Sequence, residues 1–267
     1  NTSRMNSWYP SIQDGATDNQ FVQTENLNRF TSLTAKNIYT WNDDVFNDDE
    51  TNEWSMMYAA IYSCNLILEQ LEKIEPVPVE KNQIEGEALF FRSFAFYNVA
   101  QLWAKPYEKN TAQTDLGIPL RLKSDIGEKS IRSSVEETYT KITNDLNRAV
   151  ILLSVNSPYK TTPTKQAVYG LLARIYLSME DYDKALSYAD TCLSYSDALL
   201  DYNTLTMGSA TSFPMLQPAP LGLPLFWSKM GGLKTSPKAS TTRFRRTASL
   251  TCRPRPWSPA SLTSMFI

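Results

Sequence analysis

Carboxylates are the most abundant side chains that could do chemistry here, because the chain has 28 Asp and Glu residues and no histidine. Without histidine there is neither a Ser-His-Asp or Cys-His nucleophile system nor a histidine-ligated metal site. Two facing carboxylates could hydrolyse a glycosidic bond, but the spacing of the acidic residues assigns no such pair. We therefore predict that the chain is not an enzyme and carries no cofactor.

One acidic stretch, residues 43–53, offers the hard oxygen ligands that Ca²⁺ prefers. Its acidic residues are Asp43, Asp44, Asp48, Asp49, Glu50 and Glu53. The stretch lacks the glycine and the ligand spacing of an EF-hand loop, so we expect a solvated acidic segment without a metal. Of the three cysteines, the two in helical patterns, Cys64 and Cys192, are expected to be buried free thiols.

Five helices are predicted, because apolar side chains recur at helical spacing. They form the scaffold that must position the acidic residues and the cysteines. Their approximate ranges are 52–74, 79–104, 133–153, 164–179 and 182–195. Ser133 or Ser134 is the expected N-cap of the third helix, and Asp181 that of the fifth. Residues 1–50 are interpreted as loop, and no strand alternation is visible. The predicted fold class is therefore all-α.

The last two helices carry the pattern of a 34-residue tetratricopeptide unit. With Tyr169 at position 4, large residues fall at positions 4, 7 and 11 and small ones at 8, 20 and 27. This pattern lets two antiparallel helices approach closely. The second and third helices resemble another such pair, but residues 105–132 replace the usual tight turn. A connection this long is usually functional or disordered.

Charge divides the chain into two parts. Residues 1–201 hold 18 basic and 28 acidic side chains, a net charge near −10, whereas residues 202–267 hold eight basic side chains and no acidic one. We predict a helical domain over 1–205 and a basic tail rich in Pro, Ser and Thr over 206–267. Out-of-frame translation is the favoured interpretation of the tail. A disordered basic arm, marked by Arg243-Phe244-Arg245-Arg246, and a folded continuation are the alternatives. Nucleic-acid binding is not expected, because the acidic body would repel phosphate.

Five different short motifs occur one after another over about 150 residues of the chain. They are Trp54-x3-Tyr58-x2-Ile61-x2-Cys64-Asn65; Gly86-Glu87-Ala88-x-Phe90-x-Arg92; Gly117-Ile118-Pro119-Leu120; Arg132-Ser133-Ser134-Val135-Glu136-Glu137 with Asp145-Leu146; and Ala173-Arg174-Ile175-Tyr176-Leu177 with Asp181-Tyr182. Together these motifs resemble the SusD-like (RagB/SusD) family of nutrient-binding lipoproteins.

The resemblance implies a helical protein of tetratricopeptide-like pairs with an irregular ligand face. It also implies a lipid-anchored protein on the extracellular face of the outer membrane. Such a protein captures oligosaccharides or other nutrients for a TonB-dependent, SusC-like transporter and performs no covalent chemistry. Family members are commonly longer, and no lipoprotein signal opens this chain. We therefore expect it to be truncated at both ends, with its lipid anchor missing.

A glycan site needs an aromatic face for a sugar ring and planar polar groups for its hydroxyls. Trp41 and Asn42 fit this need best, because they lie in a predicted loop beside Asp43 and Asp44. The alternative is that Trp41 fills the core beneath that loop, since Trp is highly buried on average.

Asp14, Asp18 and Asn19 are further candidate ligand residues that the resemblance implies. Their alternative role is turn formation, because Asx side chains bond to nearby backbone groups. A tetratricopeptide adaptor that grips a partner peptide is the alternative function of the whole chain.

Overall fold

The computed structural model describes residues 12–18, 21–46, 52–73, 78–159 and 161–199; the side chains of residues 13, 14, 78 and 79 are outside that description. The predicted tail over 206–267, its boundary near residue 205, and the acidic residues 48–50 lie outside the described residues. The described part divides into two units, one within residues 15–47 and one within residues 1–14 and 48–229.

The smaller unit contains the short helices α2 (Thr24–Asn28) and α3 (Leu33–Tyr39), which follow the four-residue helix α1 (Ile12–Gly15). The prediction of loop throughout residues 1–50 is therefore wrong. These helices have five and seven residues, too few to show a helical period in the sequence. The Ser32 hydroxyl caps α3 by accepting from the Ala35 N–H at 3.1 Å. Gly15 packs so closely on buried Ile38 that a Cβ would overlap that side chain.

The larger unit holds all five predicted helices, with ends within three residues of the expected ones. They are α4 (Glu53–Leu71), α5 (Pro78–Trp103), α6 (Val135–Leu152), α7 (Lys165–Ser178) and α8 (Tyr182–Tyr195). Helix α5 packs against α4 and α6, α6 packs against α7, and α7 packs against α8. The central helix α5 buries Ala95, Phe96 and Val99 completely.

Polar side chains cap these helices where the sequence indicated. Ser134 is the N-cap of α6, in a capping box with Glu137: the Ser134 hydroxyl accepts from the Glu137 N–H, and the Glu137 carboxylate accepts from the Ser134 N–H. Asp181 caps α8 by accepting from the Lys184 N–H. Each cap satisfies backbone donors that have no partner within the helix.

The long connection between α5 and α6 is folded against α4. It contains a two-stranded antiparallel ribbon, β1 (Leu116–Pro119) with β2 (Arg132–Ser134), which the sequence analysis missed. Strands of three or four residues are too short for alternation to show. Asn65 on α4 donates from its side-chain amide to the carbonyls of Arg121 and Lys123, at 2.9 and 3.2 Å.

A buried ion pair joins α5 to α6. Arg92 donates from Nε and Nη2 to Asp145 Oδ2, at 3.0 and 2.7 Å, and from Nη1 to Asn65 Oδ1 at 3.0 Å. Lys141 donates to the other Asp145 oxygen at 2.9 Å. We call Arg92, Asp145, Asn65 and Lys141 the Arg92 centre. Because Asn65 also holds the long connection, this centre ties three helices to that connection.

Helices α7 and α8 approach closely, as the tetratricopeptide pattern predicts. The small residues Ala185 and Cys192 of α8 are buried, and Cys192 donates from its thiol to the Gln166 carbonyl at 3.4 Å. Cys64 and Cys192 are both buried free thiols, as expected. Four tyrosines from the two helices stack in a row: Tyr176 on Tyr188, Tyr188 on Tyr169, and Tyr169 on Tyr195.

Candidate functional site

Trp41 lies on an exposed turn at the C-terminus of α3. The Trp41 N–H donates to the Ile38 carbonyl at 3.2 Å, and the Asn42 N–H donates to the Asn37 carbonyl at 2.9 Å. This pair of hydrogen bonds is the Schellman motif, in which the residue after the C-cap adopts the left-handed conformation. Trp41 occupies that position with φ 54°. Its side chain is 69% exposed, so it does not fill the core.

Side-chain hydrogen bonds hold the turn in place. Asn37 donates from its amide to the Asp44 carbonyl at 2.8 Å. Asn42 accepts from the Asp44 N–H through Oδ1 at 3.1 Å and donates to Asn37 Oδ1 at 3.4 Å. Asn42 therefore supports the turn as well as standing beside Trp41. We call residues 37–44 the Trp41 turn.

The other predicted ligand residues are described only in part. Asp18 is exposed, Asn19 is outside the described residues, and only the backbone of Asp14 is described, in α1. Among the described residues no group of three or more Asp, Glu or Cys side chains is arranged to hold a metal ion. A role for Asp14, Asp18 and Asn19 in binding stays a prediction.

A second feature, which the sequence analysis missed, lies in the larger unit at the turn between α7 and α8. It is an open cavity of about 520 Å³. The cavity is lined by Tyr107, Lys109, Met179, Glu180, Asp181, Tyr182, Asp183 and Lys184. Two of these residues come from the long connection, three from the turn and three from the first turn of α8. Because about 70 residues separate the long connection from the other two groups, no local motif could indicate that they meet.

The turn between α7 and α8 repeats the backbone of the Trp41 turn. The Glu180 N–H donates to the Leu177 carbonyl at 3.1 Å, and the Asp181 N–H donates to the Tyr176 carbonyl at 3.0 Å. Glu180 is left-handed, with φ 59°. Beside it Asp181 pairs with Lys184 at 2.8 Å, and this hydrogen bond holds the pKa of the Asp181 carboxyl below its usual value. In the described residues, Trp41 and Glu180 are the non-glycine residues with positive φ.

A family model matches most of the chain. The model of a SusD-like family described as "Starch-binding associating with outer membrane" matches residues 2–177. The match includes the Trp41 turn, the Arg92 centre and the long connection. Within the described part of the chain, none of the helices has the length and apolarity that crossing a membrane requires.

Individual relatives agree with the family match. The chain is 27% identical over 154 residues to "SusD-like protein P38" of Formosa agariphila, a match covering 53% of this chain and 27% of that protein. A SusD superfamily structure from Bacteroides vulgatus is 26% identical with a TM-score of 0.56, over 64% of this chain and 40% of that one. Another from Bacteroides thetaiotaomicron is 22% identical with a TM-score of 0.60, over 75% and 46%.

These likenesses confirm the predicted fold class, a helical protein built on tetratricopeptide-like pairs. They also confirm the resemblance that the five motifs indicated. The chain spans less than half the length of each of these relatives.

Proposed function

We propose that this chain, which belongs to the SusD-like family of starch-binding proteins associating with the outer membrane, binds oligosaccharides at the Trp41 turn and leaves them chemically unchanged. The observation that carries the proposal is the 69% exposure of Trp41, a large aromatic side chain in a left-handed backbone position. An indole face offered to solvent can stack on the apolar face of a pyranose ring, and the neighbouring polar groups can bond to its hydroxyls.

The turn supports this function by being ordered before a ligand arrives. The two Schellman hydrogen bonds and the Asn37 contacts fix the backbone on both sides of Trp41. A rigid platform loses less conformational entropy on binding than a mobile loop, so more of the stacking energy appears as affinity. Asp43 and Asp44 are exposed beside it and can accept hydrogen bonds from sugar hydroxyls.

Titration calorimetry of the 267-residue chain against a trisaccharide panel tests this function. The panel contains maltotriose, laminaritriose, cellotriose and xylotriose, which differ in linkage and in the sugar's exocyclic group. We expect saturable binding of at least one trisaccharide with a Kd below about 1 mM, equivalent to about −4 kcal/mol. Absence of binding by all four, with the chain folded by circular dichroism, would contradict the proposal.

The family match also supports a proposal for the cellular role. We propose that the full-length protein is lipid-anchored on the extracellular face of the outer membrane and delivers its ligand to a TonB-dependent, SusC-like transporter. The description of the family as associating with the outer membrane supports this location. A gene for such a transporter immediately upstream of the coding gene is expected. A chaperone or signalling gene there would instead favour the peptide-binding adaptor.

A further inference from the structure

The open cavity at the α7–α8 turn has the size of a small-molecule site, and its lining combines aromatic and charged side chains. Its volume of about 520 Å³ lies within the usual range of ligand pockets, about 300–1,000 Å³. One wall is the turn together with the start of α8, and the other is the long connection, through Tyr107 and Lys109. Both walls belong to the larger unit.

The apolar part of the lining consists of two tyrosine rings and Met179. The Tyr107 ring makes an edge contact with the Tyr139 ring, with centroids 5.2 Å apart and an angle of 63° between the ring planes. Tyr182, the first residue of α8, is 64% exposed. Exposed tyrosine at a pocket wall offers a ring face for stacking and a hydroxyl for hydrogen bonding.

The charged part of the lining is nearly balanced, because two lysines face three carboxylates. Lys184 is paired with Asp181 at 2.8 Å and also lies 4.9 Å from the centre of the Tyr176 ring. A phosphate would meet the three carboxylates, and a metal ion would meet the two ammonium groups. A neutral polyhydroxylated ligand avoids both conflicts, because its hydroxyls can donate to the carboxylates and accept from the lysines.

The backbone conformation of Glu180 also supports a ligand-binding role for the cavity. The left-handed position after a helix C-cap favours glycine, and a larger residue there is strained. In this turn the position carries a carboxylate that lines the cavity. Because glycine fits this backbone position better, Glu180→Gly should not lower the stability of the fold. A loss of affinity in this variant would therefore report on binding and not on folding.

We propose that the cavity binds one sugar unit of an oligosaccharide, with Tyr182 stacking on the ring and Glu180 accepting hydrogen bonds from its hydroxyls. This inference rests on the proposed function and names a binding site that shares no residue with the Trp41 turn. Lys109 and Lys184 donate to the remaining hydroxyls, and Tyr107 closes the inner wall.

Calorimetry on four chains tests the site, with the trisaccharide panel already described. The chains are wild type, Tyr182→Ala, Glu180→Gly and the matched control Tyr159→Ala, whose tyrosine is 70% exposed outside the cavity. Each is also titrated in a Trp41→Ala background, so that a stronger site does not hide the effect. We expect Tyr182→Ala and Glu180→Gly to weaken binding at least about fivefold in one of the two backgrounds, and Tyr159→Ala to stay within about twofold. Glu180→Gly should weaken binding while its unfolding temperature stays equal to that of the wild type or rises.

The outcomes distinguish the two proposals. Suppose that the wild-type chain binds a trisaccharide and that Tyr182→Ala and Glu180→Gly keep unchanged affinity in both backgrounds. This result would overturn the cavity site and leave the proposed function standing. Absence of binding by the wild-type chain would overturn the proposed function and this site with it. An equal loss in Tyr159→Ala would show a general effect on the unit and would also overturn the site.

Discussion

The Arg92 centre and the two left-handed turns, at Trp41 and at Glu180, are opposite kinds of structure. The centre is buried, with Arg92 and Asp145 each 5% exposed, and its charges are matched by hydrogen bonds between helices. The turns expose their central side chains and place them in a strained backbone position. The difference indicates that the centre holds the fold, whereas the turns hold side chains that the fold does not need.

The largest effect on stability is expected at the Arg92 centre. Arg92→Met keeps most of the side-chain volume but leaves the buried Asp145 carboxylate with only Lys141 as a charged partner. Breaking a buried pair in this way costs about 3–5 kcal/mol of unfolding free energy. Urea denaturation measures it.

Arg148→Met is the matched control, because the Arg148 side chain is 63% exposed in its pair with Glu85. An exposed pair contributes at most about 1 kcal/mol. Equal losses in the two variants would contradict the assignment of the fold to the Arg92 centre.

A smaller loss of stability is expected at the ribbon in the long connection. A Cβ at Gly117 would overlap Thr138 Oγ1 and the Ser134 carbonyl, both part of the packed start of α6. Gly117→Ala should therefore cost about 1–3 kcal/mol in a urea titration. Gly127→Ala, whose Cβ would meet only Asp125 Oδ1 at 3.3 Å, serves as the control and should be nearly neutral. A neutral Gly117→Ala would show that the ribbon is not packed as described.

The pH dependence of stability gives a third test of the buried region. Burial raises the pKa of the Cys64 thiol to about 12 from its ordinary value of 9.0, against a smaller opposing effect of Arg92. The folded chain keeps this proton above pH 9 while the unfolded chain releases it, so stability must fall as pH rises from 9 toward 12. The slope from one such group is at most about 1.4 kcal/mol per pH unit.

Cys64→Ala removes this group, so its unfolding free energy should decline less steeply above pH 9 than that of the wild type. Urea titrations at pH 8.5 to 10.5 give both slopes. Parallel slopes would mean that the thiol is not held protonated by burial.

The smallest effects on stability are expected at the two left-handed turns, where a substitution by glycine should stabilise the fold relative to alanine. Glycine relieves the left-handed strain, so Trp41→Gly should be more stable than Trp41→Ala by about 0.5–1 kcal/mol. The same order should hold for Glu180→Gly against Glu180→Ala. Thermal unfolding of the two pairs measures these differences. If alanine were the more stable replacement at both positions, the left-handed assignment would be wrong.

Features carried by long local patterns could be predicted from the sequence. The stripe from Trp54 to Leu71 and the cap at Ser134 indicated their helices because period and capping are local properties. Arg92 and Asp145 appeared in two of the five motifs, but their pairing could not be predicted, since the contact joins residues 53 positions apart.

Predictions failed where elements were short or the conformation was unusual. The helix Leu33–Tyr39 and the β1–β2 ribbon have too few residues for a period. Trp41 is a candidate ligand residue because of its residue type and its polar neighbours, and that role stays a prediction. Its left-handed conformation could not be predicted, because the sequence has Trp where this turn favours glycine. The cavity depends on packing between distant segments and leaves no local signal.

The decisive test of binding at the Trp41 turn is the affinity of Trp41→Ala for the trisaccharide that the wild-type chain binds best. Phe21→Ala is the matched control, because Phe21 is a second highly exposed aromatic residue of the smaller unit, at 84%. We expect Trp41→Ala to weaken binding about tenfold, equivalent to about 1.4 kcal/mol, without lowering the unfolding temperature, and Phe21→Ala to bind as the wild type does. Wild-type affinity in Trp41→Ala would contradict a binding site at the Trp41 turn.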